Sequence, residues 1–337
     1  MPKPRLADVA ALAGVSMKTV SNVVRGHPPV RPATRERVEA AVKELGYRPH
    51  SAARRLASGR TGMLSLAMPL IGRPYFAELA NKFSEAAAER DYRLLIQQTI
   101  AGPQAERDAI DVSETGLVDG ILFQPVTLSA AEISRIGGRN HPLVLLGEQE
   151  APPECDRVMI DNVAAAAEAV QVIADLGRRR IAFLGVEPEP LTAATVDRMA
   201  GYRAGMRNAG LPVAEERLLP LDGLDTPDGE RAVRRAIEEG VRFDGLVCRD
   251  DGLAIGALRA LRAAGASVPG DVAVVGWDGD AIGAFLETSL TTVSPDMDAI
   301  VEKALGFLIE RIEGFAGPGR HVIAPHAIVI RESAPAT

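Results

Sequence analysis

LADVAALAGVSMKTVSNVVRG, residues 6–26, decides how the N-terminal part of the chain folds. Val9, Ala10 and Ala13 share one face at helical spacing, as a short amphipathic helix needs. Gly14 follows, a residue free to take a positive φ, so the chain can turn sharply out of that helix. Ser16 then has the chemistry of an N-cap, and Val20, Val23 and Val24 give the next helix an apolar stripe. Helix, glycine turn and capped helix form the helix-turn-helix pattern. Met17, Lys18, Ser21 and Asn22 lie off the valine stripe and are free to enter a DNA major groove. The same pattern also suits a small helical domain with no nucleic-acid role.

Downstream, Pro32 occupies a favoured first helical position and opens ATRERVEAAVKELG, residues 33–46. Val38, Ala41, Val42 and Leu45 form the face expected to cover the first two helices. YRPHSAARRLASGRTG follows at residues 47–62, short, Ala-rich and a marginal helix in water without packing partners. Leu56 is its one large apolar residue, suited either to a contact with the body or to a role outside it.

These 62 residues resemble the headpiece and hinge of the lactose-repressor (LacI/GalR) family of bacterial transcription regulators, through LADVAALAGVS, TVSNVV, TRERVEAAVKELGYRP and AARRLASGRT. The rest of the chain follows the family's effector-domain pattern almost to its end. The resemblance implies a dimer on a near-palindromic operator, with Ser16, Met17, Lys18, Thr19, Ser21 and Asn22 at the DNA. It further implies hinge helices carrying Arg54, Arg55 and Leu56 into the minor groove, with Leu56 as a wedge between base steps. Lys18 and Asn22 are the expected base readers, Lys to guanine and Asn to adenine, while Thr19 and Ser21 suit phosphate.

Charge is distributed to match. Residues 1–60 hold twelve Lys or Arg against four acids, a net +8 within a chain of net charge −7, so the remainder is strongly acidic. A basic head on an acidic body suits a polyanion at one end only. The 337 residues suffice for two or three domains with full cores, and 47% hydrophobic with 25% charged content is that of a globular protein. Cys155 and Cys248 lack metal-ligand spacing and fit a reducing compartment. With no signal-peptide pattern at the start and no apolar run long enough to span a bilayer, the expectation is a cytoplasmic protein without membrane association.

From residue 63 short apolar runs alternate with helical stretches, which predicts α/β architecture with parallel sheets covered on both faces. Strands are expected at 63–68, 92–98, 120–124, 142–147, 157–160, 181–186, 217–221, 245–248, 272–277 and 290–293, with one long strand near 321–330. The resemblance turns this into a two-lobed, periplasmic-binding-protein-like (type I) effector domain. The expected organisation is a helix-turn-helix domain at 1–48 and a hinge at 49–61. A first lobe would comprise 62–161 and 290–318, and a second lobe 162–289 and 319–337.

Parallel sheets bind ligands at the carboxyl ends of their strands. Arg73, Tyr75, Phe76, Gln124, Asp161, Arg198, Asp250 and Asp278 stand at or near such ends or open the following helix, and form the candidate effector set. The family uses corresponding positions for a small effector, most clearly at Arg198, Asp250 and Asp278; Asp250 replaces the family's more frequent Asn. Each has a structural alternative: Asp161 and Asp251 suit helix N-caps, and Arg198 suits a pair with Glu187 or Glu189. Carboxylates with a guanidinium match vicinal hydroxyls, so a sugar or polyol is the expected effector. Purine-sensing members of the resembled family sandwich the base between two aromatic rings; the resemblance sets Phe76 at one of these positions but Leu224 at the other, which argues against a purine.

Catalytic motifs are missing: there is no G-x-S-x-G, P-loop or G-x-G-x-x-G, and the five histidines lack partner spacing. No cofactor is expected. The competing function is a sugar-binding transport-type protein without a DNA role, which would share the body but not the basic head. Some members of the resembled family join two dimers through a leucine heptad tail; none follows Ile330, so the resemblance implies a dimer rather than a tetramer.

Overall fold

The structure is a computed structural model describing residues 4–24, 30–47, 60–99, 102–137 and 141–336. The chain divides into two units, Met1–Thr61 and Gly62–Thr337. Most of the expected hinge at 49–61, including Arg54, Arg55 and Leu56, lies outside the described residues.

The first unit contains α1 (Leu6–Ala13), α2 (Met17–Val24) and α3 (Pro32–Leu45). Gly14 adopts φ 63°, and the Gly14 and Val15 amides return to the Ala11 and Ala10 carbonyls, closing α1. Ser16 Oγ accepts the Thr19 amide at 3.1 Å and so caps α2. Val9, Ala10, Ala13, Val20, Val23, Val38 and Ala41 make the core as the spacing predicts; Tyr47 completes it, while Val42 and Leu45 pack at its margin.

In the second unit the chain first builds β1 (Met63–Met68), α4 (Pro74–Ala88), β2 (Arg93–Gln98), α5 (Pro103–Asp111), β3 (Gly120–Phe123), α6 (Ala130–Gly137), β4 (Leu143–Leu146) and β5 (Asp156–Ile160). Next come α7 (Asn162–Asp175), β6 (Ile181–Val186), α8 (Ala193–Asn208), β7 (Leu218–Pro220), α9 (Thr226–Glu238), β8 (Gly245–Cys248), α10 (Asp251–Ala263), β9 (Ala273–Trp277) and β10 (Thr291–Pro295). The chain ends through α11 (Met297–Ile312), β11 (His321–Ala324) and β12 (His326–Val329). One sheet runs β11-β5-β4-β3-β1-β2 and the other β12-β10-β9-β8-β6-β7. Every pairing is parallel except β10 with β12.

Two expectations about the lobes need correction. The chain leaves the second sheet after Pro295, not at residue 290, because β10 pairs with β9. Buried Thr291 and Thr292 also bind the Ala334 carbonyl and Asp251. Asp296 then caps α11, which packs on α4, β3, β4 and β5 of the first lobe. The return to the second lobe falls at Pro325, not at 319. The long strand expected at 321–330 is therefore two short ones in different sheets, β11 beside β5 and β12 beside β10. Pro325 separates them, and its carbonyl accepts the Asp296 amide at 2.9 Å, tying the second and third crossings together.

A buried carboxylate holds the segment between α11 and β11. Asp156 is fully buried at the start of β5 and receives Arg311 Nε at 2.8 Å, Arg320 Nη2 at 3.0 Å and the Arg320 amide at 2.8 Å. Burial raises its pKa, but the hydrogen bonds from Arg320 and Arg311 outweigh burial and hold it at about 2. Its contribution to stability is thus complete above the ordinary carboxylate range and is lost as pH falls through about 2. Removing one partner of a buried ion pair leaves the other charges uncompensated, so Asp156→Ala should cost about 3 kcal/mol. Denaturant unfolding at pH 7 tests this; a midpoint equal to the parent's would refute it.

Candidate functional site

In the first unit, α2 exposes Met17 and Lys18 to solvent, with Ser21 and Asn22 half-buried beside them. The valine stripe of α2 is turned to the core, which leaves this polar surface outward. Thr19 Oγ1 lies 2.9 Å from Ser16 Oγ, so both hydroxyls also serve the cap.

In the second unit a cavity of about 520 Å³ opens between the lobes. Its size suits a small-molecule site, which typically spans roughly 300–1,000 Å³. Seven of the eight candidate effector residues line it: Arg73, Tyr75, Phe76, Gln124, Arg198, Asp250 and Asp278. The first-lobe wall is largely apolar, with Tyr75 and Phe76 in an edge-to-face pair at 5.2 Å. The second-lobe wall carries most of the charge, on Arg198, Asp225, Arg249, Asp250 and Asp278.

Asp161 is the exception. Its Oδ1 accepts the Ala164 amide at 2.8 Å and caps α7, and it does not line the cavity. Its neighbour Asn162 is tied to the site instead, donating to Glu148 Oε1 at 2.7 Å and accepting Arg198 Nε at 2.8 Å. A cap also forms one residue from where it is expected: Asp250, not Asp251, caps α10, through Oδ1 to the Leu253 amide at 2.8 Å.

Arg198 stands at the centre. Located on α8 and buried, it donates to Asn162 and to the Arg249 carbonyl and lies 4.2 Å over the Trp277 ring. It does not pair with Glu187 or Glu189. Glu187 faces Arg249 at 3.4 Å, and Glu189 binds the Leu191 amide. Burial lowers the Arg198 pKa, opposed by the nearby charges of Asp278 and Glu148.

Sequence reasoning missed Arg249 and Glu148. Both follow the carboxyl ends of strands, β8 and β4, so the rule that found Asp250 and Gln124 would have reached them. Arg249 donates to Thr195 Oγ1 at 2.8 Å and to Asp250 Oδ2 at 3.3 Å. Its close approach explains Gly185, since a Cβ there would meet Arg249 Cβ at 2.4 Å.

Acids crowd the second-lobe floor. Burial raises Asp278 well above its ordinary value, opposed by Arg198 and reinforced by Asp250, Asp251 and Asp280. Asp251 is pushed up to about 7 by burial despite hydrogen bonds from Thr292 and the Asp280 amide, and Asp280 to about 6. The Tyr75 hydroxyl is raised by burial and by Asp278 and Glu148, so it stays protonated near neutrality. Among the described residues, no group of His, Cys, Asp or Glu is arranged to hold a metal ion, and no helix is long and apolar enough to cross a membrane.

Residues 5–50 match the family described as bacterial regulatory proteins, lacI family, and residues 170–334 match the periplasmic binding protein-like domain. Catabolite control protein A of Priestia megaterium is 31% identical over 97% of this chain and 98% of its own. The structure of the transcriptional regulator CelR in complex with cellobiose aligns with a TM-score of 0.72 at 30% identity, over 98% of this chain and 99% of that one. The Lac repressor dimer bound to operator and an anti-inducer shares the fold, with a TM-score of 0.89 at 23% identity over 99% of this chain and 100% of that one. The class is thereby defined as a DNA-binding transcription regulator with a periplasmic-binding-protein-like body, not an enzyme. The chain belongs to the lacI family. The transport-type alternative without a DNA role finds no support.

Asp251 generates a pH prediction. A carboxyl whose folded pKa is raised adds stability that is fully present below its unfolded value and lost as pH rises through its folded value, here about 7. Thermal unfolding from pH 5 to 8 should therefore show stability falling with pH, and Asp251→Asn should flatten that fall. An unchanged slope in the variant would contradict the assignment.

Proposed function

We propose that this regulator is a cytoplasmic repressor that binds a near-palindromic operator as a homodimer and responds to a sugar or polyol held between its lobes. The observation that carries the effector reading is the convergence of Arg198, Asp278, Arg249 and Asp250 on one wall of a cavity whose other wall is largely apolar, with Arg73, Gln124 and Glu148 among its polar groups. Charged hydrogen-bonding groups facing apolar surface suit a ligand with vicinal hydroxyls on one side and C–H faces on the other. CelR, whose complex holds cellobiose, supports this class of ligand. Against a purine stands the single aromatic pair on one lobe only, with Leu224 opposite.

In this reading Lys18 and Asn22 read bases, Ser16, Met17, Thr19 and Ser21 position α2, and Arg54, Arg55 and Leu56 act at the minor groove. A ligand touching both walls favours one lobe arrangement, and its differential affinity for the two arrangements is what changes operator affinity. Release of DNA, with the ligand as inducer, is the response proposed.

Two experiments test these assignments. Selection of binding sites from random duplexes should show that Lys18→Ala relaxes one position per half-site, a loss of about 1–3 kcal/mol of discrimination there. An unchanged site preference with uniformly weaker binding would refute base reading by Lys18. A thermal-shift panel of neutral mono- and disaccharides on the full chain should identify a ligand that raises the unfolding temperature. Asp278→Asn, which alters the hydrogen bonding offered at this position, should weaken that ligand about tenfold; equal affinity would remove Asp278 from the site.

A further inference from the structure

Arg73 precedes α4 on the first lobe, yet the acceptors of its guanidinium belong to the second. Nη1 donates to Asp250 Oδ2 at 3.2 Å and Nη2 to the Leu224 carbonyl at 2.5 Å. Arg73, Asp250 and Leu224 all line the cavity. We propose that Arg73 is a cross-cleft latch, a first-lobe residue that holds the second lobe closed through contacts supplied wholly by protein.

Both acceptors are held in place. Asp250 is fixed by capping α10 through its other oxygen. Leu224 precedes Asp225, whose amide is bound by Asp228 Oδ2 at 2.8 Å in the capping box of α9. At the donor end, Pro74 sets the first turn of α4, so the Arg73 backbone is anchored as well. A planar fork between two fixed acceptors loses less entropy per hydrogen bond than a flexible ammonium would.

Position separates this contact from another polar link across the lobes. Asn162 also reaches the first lobe, at Glu148, but it directly follows the crossing between β5 and α7. A rotation about the crossings displaces Asn162 little. Asp250 and Leu224 sit on loops remote in sequence from every crossing, so opening must break the Arg73 contacts. Asp250 is buried but the Arg73 side chain is 24% exposed, so water and salt reach the pair from the Arg73 side and make it breakable. Arg73 thus governs lobe closure rather than serving only as a ligand contact, and this does not depend on the ligand being a sugar.

The test measures lobe separation in the full chain without added ligand. Cys155 and Cys248 are buried, so spin labels can be directed to exposed sites on opposite lobes with Gln104→Cys and Glu216→Cys. Pulsed electron spin resonance should give a short, narrow distance distribution for the parent. Arg73→Ala should shift it longer and broaden it. Asp250→Asn, which keeps a capping side chain for α10 but removes the charged acceptor and leaves the Leu224 contact, should shift it in the same direction by less, and the double variant should open no further than Arg73→Ala. Molar salt should move the parent toward Arg73→Ala. A parent-like distribution in Arg73→Ala, or additive opening in the double variant, would overturn the latch.

Discussion

One buried guanidinium organises the ligand-binding half of this molecule. Arg198 leaves water for a site where its hydrogen bonds go to the Asn162 side chain and the Arg249 carbonyl, with the Trp277 ring beneath it. An unpartnered buried cation would be prohibitively costly, so these partners must be in place for the second lobe to keep its form. Each partner brings another element to the cleft. Asn162 begins α7 and continues to Glu148 of the first lobe; Arg249 directly follows β8 and carries Glu187, Thr195 and Asp250 with it. The cleft wall is therefore one connected polar network, and connected networks respond as units.

The same logic explains why the acids on the floor are high in pKa and are nonetheless present. Asp251 costs stability when ionised, but its two oxygens hold Thr292 of β10 and the amide of Asp280, and so fix the loop that carries Asp278. Asp278 itself has φ 112°, an uncommon backbone state for a residue with a side chain. Strain and charge are concentrated where a ligand could relieve them.

Much of this was legible in the sequence because it follows local rules. Gly14, Ser16 and the valines of α2 specify the headpiece turn with only residues near them in the chain. The parallel strands announce themselves as apolar runs, and the carboxyl-end rule then picks out Gln124, Asp250 and Asp278. What could not be read depends on distant partners. That β10 belongs to the second sheet is decided by Val275, Asp251 and Ala334, which propensity in LTTV does not encode. The break at Pro325 was visible as a proline, but a proline says only that a strand is interrupted, not that its halves enter different sheets. Asp161 and Asn162 are equally polar neighbours, and only the packing of α8 decides which one meets Arg198.

The most direct measurement of the whole account is operator affinity of the full chain, followed by fluorescence anisotropy on a selected operator, as a stabilising neutral sugar is titrated in. The parent should lose affinity as the sugar saturates, whereas Asp278→Asn should bind the operator like the parent without sugar and need about tenfold more sugar for the same loss. Operator affinity that ignores every ligand shown to bind the cleft, or an Asp278→Asn response identical to the parent's, would contradict this.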